Sequence, residues 1–231
     1  MVKILFWPSL DWFDIQLEQD LPITGSTNDI FEQINQAEYG AHYLVIYPEL
    51  VMLRDIYSRY VKTHLENNDE IVLITSYYET IDSVRQNLSS QISANNDSID
   101  IRKYENEGSL IIMDSVKGYF GLDDDDDDDD KLPHKDGILT FLKQLVKGAE
   151  SSGKNGVCVF ADIGSFYHYH SSNGNNSVDQ LVEYELSLPS KYDMKLKGFC
   201  IYHKTDFDKR LAEEQKQKLL NHHGKALLTI K

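Results

Sequence analysis

Residues 43–65 read YLVIYPELVMLRDIYSRYVKTHL, a stretch that joins a predicted buried strand directly to a predicted helix. Its first five residues, Tyr43–Tyr47, form a continuous apolar run, which is typical of a strand covered on both faces. The remainder carries large apolar side chains spaced three and four residues apart, which predicts an amphipathic helix. These side chains are Leu53, Ile56, Tyr57, Tyr60, Val61 and Leu65.

The same alternation of short apolar runs and helical patterns continues to the end of the chain. Further strands are predicted at residues 71–75, 109–114, 157–162, 198–203 and 226–230. Further helices are predicted around residues 81–92, 138–146, 178–182 and 207–222. Strands joined by helix-length connections favour parallel pairing with helices on both faces. We therefore expect a three-layer α/β/α sandwich around a mostly parallel sheet, whose strand order the sequence leaves open.

The domain organisation follows from where this alternation begins. A chain of 231 residues is long enough for one large domain. We assign residues 38–231 to that domain and residues 1–37 to an N-terminal extension with a short helix at 26–37. Residues 122–133 are predicted to form an acidic, solvated loop, because they contain eight consecutive aspartates, Asp123–Asp130. Weak binding of divalent cations is the alternative reading of this loop.

Composition excludes several classes of partner. The net charge is −15, and without the eight aspartates 30 acidic residues still face 23 basic ones. No basic patch is present, so direct binding of nucleic acid is not expected. The apolar runs are too short for a membrane helix, and the N-terminus is a poor signal peptide. With two cysteines, Cys158 and Cys200, we expect a cytoplasmic protein.

A phosphate-binding loop is missing where it would be needed. Such a loop must follow a strand and open a helix, with glycines that let backbone N–H groups face the phosphates. Gly148–Asn155 nearly matches the motif, but it follows a helix and ends in Asn155 instead of Ser or Thr. The turn in the correct place reads Tyr47-Pro48-Glu49. We therefore expect no ATPase activity.

Several segments resemble the MEDS domain, the methanogen/methylotroph DcmR-type sensory domain, which is a RecA/KaiC-like relative. They are EYGAHYLVIYPE at 38–49, IVLITSYYET at 71–80, EGSLIIMDSVKGYFG at 107–121, GVCVFADIGSF at 156–166, LVEYELSLPSKYDMKLKGFCIYHKTDF at 181–207 and LLNHHGKAL at 219–227. The resemblance implies a degenerate RecA-like sandwich that serves as an input module in signal transduction or transcriptional control. Its style is similar to archaeal versions. Any output then passes through a partner protein.

Candidate ligand-binding residues lie where the predicted strands end, because ligands of open α/β sheets bind outside the carboxyl ends of the strands. The residues are Tyr47, Glu49, Tyr77, Tyr78, Glu79, Asp114, Asp162, Ser165, Tyr202 and His203. Tyrosines with a few carboxylates and a histidine suit a small amphipathic or polyol-like ligand. The alternative is that these tyrosines are packing residues. Asp162 also resembles a magnesium-positioning aspartate, although capping of a turn explains it more simply.

Metal and catalytic readings of the sequence are weaker. His168 and His170 alternate as strand neighbours would, and Cys200, His203 and the pair His222-His223 could supply ligands for zinc or copper from separate segments. We expect no metal and no cofactor, since no CxxC pair or HExxH motif is present. His42 is interpreted as a packing or hydrogen-bonding residue at the start of the first strand, and Asp179, Glu183 and Glu185 as an exposed acidic helix face.

Three functions remain open after these observations. The leading hypothesis is a non-catalytic sensory domain that binds a small ligand or a signalling or transcription partner. An enzyme that uses the strand-end Tyr, Glu and His residues, with Glu79 as a test residue, is the first alternative. An oligomeric scaffold is the second, because RecA-like relatives often assemble into homo-oligomers.

Overall fold

The computed structural model describes residues 23–67, 70–93, 100–120, 135–169, 177–224 and 226–231. Within them lie seven strands: β1 (Ile23–Gly25), β2 (His42–Tyr47), β3 (Glu70–Ser76), β4 (Leu110–Asp114), β5 (Gly156–Asp162), β6 (Leu196–His203) and β7 (Leu227–Ile230). The strands form one sheet in the order β1-β7-β2-β6-β5-β3-β4. Every neighbouring pair is parallel, which confirms the predicted sheet.

Ten helices of the described residues cover the two faces of this sheet. They are α1 (Thr27–Asn35), α2 (Leu50–Glu66), α3 (Ile81–Ser93), α4 (Ile101–Asn106), α5 (Ser115–Phe120), α6 (Lys135–Ser151), α7 (Gly164–His168), α8 (Ser177–Ser187), α9 (Lys204–Arg210) and α10 (Glu213–His223). Helices α1 to α4 pack on one face and α5 to α10 on the other. The three-layer α/β/α sandwich is thereby confirmed.

Side-chain alternation along the strands builds the two apolar layers. In β2, Val45 and Tyr47 face the α1–α4 layer, whereas Leu44 and Ile46 face the opposite layer. All four side chains are buried. This double burial explains why the strand reads as an unbroken apolar run, since successive side chains point to opposite faces. Each such side chain contributes about 1.5–3 kcal/mol when it leaves water.

The helix predicted over residues 207–222 is two helices in the structure. α9 ends at Arg210, and the backbone is extended at Leu211 and Ala212 before α10 begins. The break lets Leu211 turn into the core, where it is 4% exposed. The predicted end is confirmed, because Gly224 follows α10 with φ +54, a conformation that favours glycine.

The sheet gains one strand that was not predicted. β1 has only three residues and is largely exposed, so it carries no apolar pattern, yet it pairs with β7. α1 follows it and starts with a reciprocal capping box, in which Ser26 Oγ accepts from the backbone of Asp29 and Asp29 accepts from the backbone of Ser26. Residues 1–22 of the predicted extension and the acidic loop at 122–133 lie outside the described residues.

Two predictions on the α5–α10 side of the sheet were wrong. His168 is the last residue of helix α7 and does not lie in a strand; His170 lies outside the described residues. Glu185 does not belong to an exposed acidic face, since it is fully buried at 0% exposure, whereas Glu183 is exposed. In the described part of the chain, no helix combines the length and the apolarity required to span a bilayer.

Candidate functional site

The connection from β2 to α2 is too short to enclose a phosphate. Only Pro48 and Glu49 separate Tyr47, the last strand residue, from Leu50, the first helical one. Proline has no N–H to offer, and Glu49 is exposed and acidic, so it would repel an anion. This geometry lacks the glycine-lined backbone cradle on which a phosphate-binding loop depends.

Asp162, at the end of β5, binds the protein's own backbone. Its carboxylate accepts hydrogen bonds from the N–H groups of Tyr77 at 2.9 Å, Tyr78 at 3.4 Å and Gly164 at 2.8 Å. Burial raises the pKa of Asp162 to about 6, and the three backbone donors oppose that rise. Asp162 is 4% exposed. Because its carboxylate binds the backbone of both segments, it holds the turn after β3 against the start of α7.

Gly164 permits this close approach. A Cβ at this position would lie 2.6 Å from Tyr78 Cε2 and 2.8 Å from Tyr77 Cδ1, closer than real Cβ contacts. The two tyrosine rings therefore rest directly on the first turn of α7. Glycine is required here because a side chain would not fit, and not because of the backbone conformation, which any residue can adopt.

Asp206, in α9, is the centre of a polar network at the carboxyl ends of the strands. Its carboxylate accepts a short hydrogen bond from the Tyr78 hydroxyl and a 3.0 Å bond from Arg210 Nε. His168 Nε2 lies at 3.4 Å and His203 Nδ1 at 3.6 Å from the same carboxylate. Four residues from three separate segments thus converge on one acid.

Aromatic rings complete this network. The rings of Tyr77 and His168 stack, with centroids 5.4 Å apart and an interplanar angle of 6°. The centroid of Tyr77 lies 5.3 Å from that of Tyr78. His203 lies 5.3 Å from both Tyr47 and Tyr78. We call Tyr77, Tyr78, His168, His203, Asp206 and Arg210 the rim cluster.

The electrostatics of the rim cluster favour an ionised Asp206. Burial acts to raise the pKa of Asp206, but hydrogen bonds from Tyr78, His168 and Arg210 bring it below its usual value. Burial and the bond to Asp206 raise the pKa of Tyr78, so its hydroxyl stays protonated. The cluster therefore presents a fixed negative charge, an arginine and half-buried rings side by side.

Comparison with known protein families identifies the chain. Residues 41–223 match the family model described as MEDS, MEthanogen/methylotroph, DcmR Sensory domain. The chain belongs to the MEDS family. The match begins just before β2 and ends with α10, so it includes the whole rim cluster. A comparison with curated proteins gave no match.

The structure separates the predicted site residues of this MEDS domain into two groups. Tyr47, Tyr77, Tyr78 and His203 meet in or against the rim cluster, and Asp162 supports it from below. The other five lie elsewhere.

Each of these five has another environment. Glu79 binds Arg54, Tyr57 and Asn87 in the α2–α3 layer. Asp114 accepts from the backbone of Val116 and Lys117 at the start of α5. Ser165 is buried and bonded to Ser115, Tyr202 is fully buried, and Glu49 is exposed.

Sequence reasoning missed three members of the rim cluster. The alternation of His168 with His170 indicates a strand and so misplaces His168, and no sequence motif points to Asp206 or Arg210. A signal in the spacing was nevertheless present, because His203, Asp206 and Arg210 are spaced three and four residues apart, which places them on one side of a helical turn. The predicted helix began at Phe207, one residue too late to include Asp206.

Three cavities lie away from the rim cluster, and none of the three includes a predicted site residue. An enclosed apolar cavity of about 30 Å³ lies between α6 and the sheet, beside Tyr119 and Cys200. Two open grooves of about 530 and 280 Å³ lie at the amino ends of the strands and share Tyr39. The described residues of the rim cluster present a polar and aromatic surface.

Proposed function

We propose that this MEDS domain is a non-catalytic sensory and regulatory module that binds a small polar ligand at the rim cluster and signals to a partner protein. The observation that carries the proposal is the convergence of Tyr78, His168, His203 and Arg210 on Asp206. Membership of a sensory family supports the regulatory role. The setting proposed is signal transduction or transcriptional control.

The chemistry of the rim cluster favours a ligand with several hydroxyl groups. Asp206 can accept hydrogen bonds, Arg210 can donate them, and the faces of Tyr77 and Tyr78 can pack against the carbon skeleton of a polyol or sugar. Arg210 is exposed, and both histidines are about one-quarter to one-third exposed, so a solute can reach them. A small amphipathic or polyol-like molecule fits this description.

The absence of ATP hydrolysis is part of the proposal. The two-residue link Pro48-Glu49 and the commitment of Asp162 to backbone donors support it. The same features support a degenerate relationship to RecA/KaiC-like proteins, and the similarity of the segments to archaeal versions supports an archaeal type. Two free, buried cysteines, Cys158 and Cys200, support a cytoplasmic location.

Ligand binding is tested by thermal shift with a panel of monosaccharides, polyols and small hydroxy acids. A ligand present at 100 times its Kd adds about 2.7 kcal/mol of stability, which raises Tm by several degrees. We expect Asp206→Asn and His168→Gln to abolish the shift. Lys209→Gln, an exposed change on the same helix, serves as the control and should retain it. Equal shifts in all variants, or no shift with any compound, contradict the proposed site.

ATP turnover is tested with purified protein, ATP and Mg²⁺. We expect no turnover above the buffer background. Magnesium-dependent hydrolysis that Asp162→Ala removes would overturn the non-catalytic assignment.

One observation favours an acid–base enzyme as a second candidate. Asp206 contacts His168 and Tyr78 at once, an arrangement that can orient a general base. Turnover of any compound in the panel, with a pH profile that His168→Gln abolishes, would support it. Glu79 is unsuited to this role because Arg54 and Tyr57 already bind it. Assembly into homo-oligomers remains a further proposal, which light scattering tests.

A further inference from the structure

A second group of side chains, of types that can bind metals, lies buried on the α5–α10 face of the sheet and shares no residue with the rim cluster. It consists of His42 from β2, Glu185 from α8, Cys200 from β6 and His223 from α10. One ligand atom from each residue lies within 4.8 Å of every other. All four residues are buried, with exposures of 6% or less. We call them the His-Glu-Cys-His cluster.

Three of the six distances between the donor atoms are close to those of tetrahedral coordination. His42 Nε2 lies 3.2 Å from Cys200 Sγ and 3.7 Å from Glu185 Oε2, and His223 Nε2 lies 3.6 Å from the same oxygen. Zinc bonds of about 2.0–2.3 Å to nitrogen, oxygen and sulfur at tetrahedral angles put donor atoms about 3.3–3.8 Å apart. The four donor atoms are thus close enough together for one ion to bind all of them.

Both histidines are oriented for coordination by their other ring nitrogen. His42 Nδ1 lies 2.9 Å from the carbonyl oxygen of Pro189, and His223 Nδ1 lies 2.9 Å from that of Leu219. A carbonyl only accepts, so each Nδ1 must carry the proton. The lone pair of a neutral ring is then on Nε2, which in both residues points into the cluster. Metal-binding histidines are usually fixed in this way.

Three polar atoms of the cluster have no hydrogen-bond partner within the described residues, whereas His42 Nε2 and Cys200 Sγ contact each other. Both carboxylate oxygens of Glu185 and Nε2 of His223 are buried without a hydrogen bond of acceptable geometry. Buried polar atoms are rarely left unpaired, because each costs about 1–3 kcal/mol and a charged one more. A cation would satisfy all three atoms at once.

We propose that the His-Glu-Cys-His cluster binds one structural Zn²⁺ ion. The donor set of two imidazoles, a thiolate and a carboxylate suits zinc, and the two anionic ligands neutralise its charge in a site closed to water. Four protein ligands leave no position open for a substrate, so the ion holds β2, β6, α8 and α10 together. Binding releases the thiol proton of Cys200 to solvent.

Metal content is measured on the untagged 231-residue chain, expressed with zinc and washed with excess Mg²⁺ to remove any loosely held ions. We expect about one zinc per chain by mass spectrometry. Cys200→Ser and Glu185→Gln should each lower zinc affinity at least tenfold. Cys158→Ser, at the other buried cysteine, and His203→Gln, in the rim cluster, should retain one zinc.

The absorption spectrum of bound Co²⁺ reports on the metal ligands directly and is independent of how stable each folded variant is. Co²⁺ added to the metal-free protein should give intense tetrahedral bands and a thiolate charge-transfer band, which Cys200→Ser loses and Cys158→Ser keeps. Zinc below a tenth of an equivalent together with an octahedral cobalt spectrum would overturn the proposal. So would copper in place of zinc, or full zinc retention in both Cys200→Ser and Glu185→Gln.

Discussion

Two buried glutamates on opposite faces of the sheet are treated very differently by their surroundings. Glu70, at the start of β3, is 1% exposed and surrounded by donors. Lys197 Nζ lies 2.7 Å from one oxygen, and the hydroxyls of Tyr39 and Tyr60 donate at 2.6 and 2.5 Å. Burial acts to raise the pKa of Glu70, but Lys197 and the two tyrosines bring it below its usual value.

Glu185 has no comparable partner within the described residues. Its nearest basic groups are His42 and His223, and burial lowers their pKa values to about 3 and about 4, so both are neutral at pH 7. Burial raises the pKa of Glu185 to about 7, and its neighbours Cys200 and Tyr202 reduce that rise only in part. The chain supplies a cation, Lys197, for Glu70. It surrounds Glu185 instead with the other three side chains of the proposed zinc site.

The largest effect is expected from Lys197→Met, which removes the cation from Glu70. A buried charge left without its partner costs about 3–5 kcal/mol of unfolding free energy. Urea denaturation measures the loss. The control is Lys195→Met, which removes an exposed pair with Glu150 and should cost less than about 1 kcal/mol. Equal losses of unfolding free energy in the two variants would show that the buried Lys197–Glu70 pair matters no more than an exposed one.

The same substitution in both clusters should have unequal results. Glu70→Gln removes the negative charge that compensates buried Lys197, although the amide oxygen can still accept a hydrogen bond, and should cost about 2–3 kcal/mol. Glu185→Gln removes an uncompensated charge, so the chelated protein at pH 8 should lose no stability or gain some. Denaturation of both variants with EDTA measures this contrast. A loss in Glu185→Gln as large as in Glu70→Gln would show that Glu185 already has a partner in the chain.

Asp162 sharpens the comparison, because backbone donors satisfy this third buried acid. Asp162→Ala leaves the N–H groups of Tyr77, Tyr78 and Gly164 without their acceptor. We expect a loss of about 1–3 kcal/mol, measured by denaturation. Asp114→Ala, at an accessible helix start, should cost about 1 kcal/mol. An unchanged Asp162→Ala protein would remove the supporting role assigned to this residue.

The smallest change is expected from pH. The pKa of Glu70 is lower in the folded than in the unfolded chain, so its contribution is complete above the unfolded value of 4.5 and is lost as pH falls through the folded value. The stability difference between wild type and Glu70→Gln should therefore narrow below pH 4.5. A difference that stays constant down to pH 3 would show that Glu70 does not titrate in this range.

Much of the fold could be predicted because six of the seven described strands are apolar runs next to helical patterns. β1 could not, since three mostly exposed residues carry no periodic signal. The break between α9 and α10 was missed because a polar helix pattern continues across Leu211. Its cause is the burial of that one side chain, which only the packed structure shows.

The site was harder to predict for a topological reason. Strand ends could be located, which identified Tyr77, Tyr78 and His203, but the helices that bring His168 and Asp206 to them could not. The His-Glu-Cys-His cluster draws on four elements spread over 182 positions of sequence, from 42 to 223. His42 and Cys200 meet because β2 and β6 are neighbours in the sheet, and that order could not be read from the chain.

The tight packing at Gly164 offers a way to move the tyrosines of the rim cluster with a single substitution. One added methyl group there would collide with both tyrosine rings, each less than 3 Å away. Gly164→Ala would displace the turn after β3 from α7 without altering any charge. Such a variant offers a way to hold Tyr77 and Tyr78 in a displaced arrangement and to test whether the proposed signalling depends on their position.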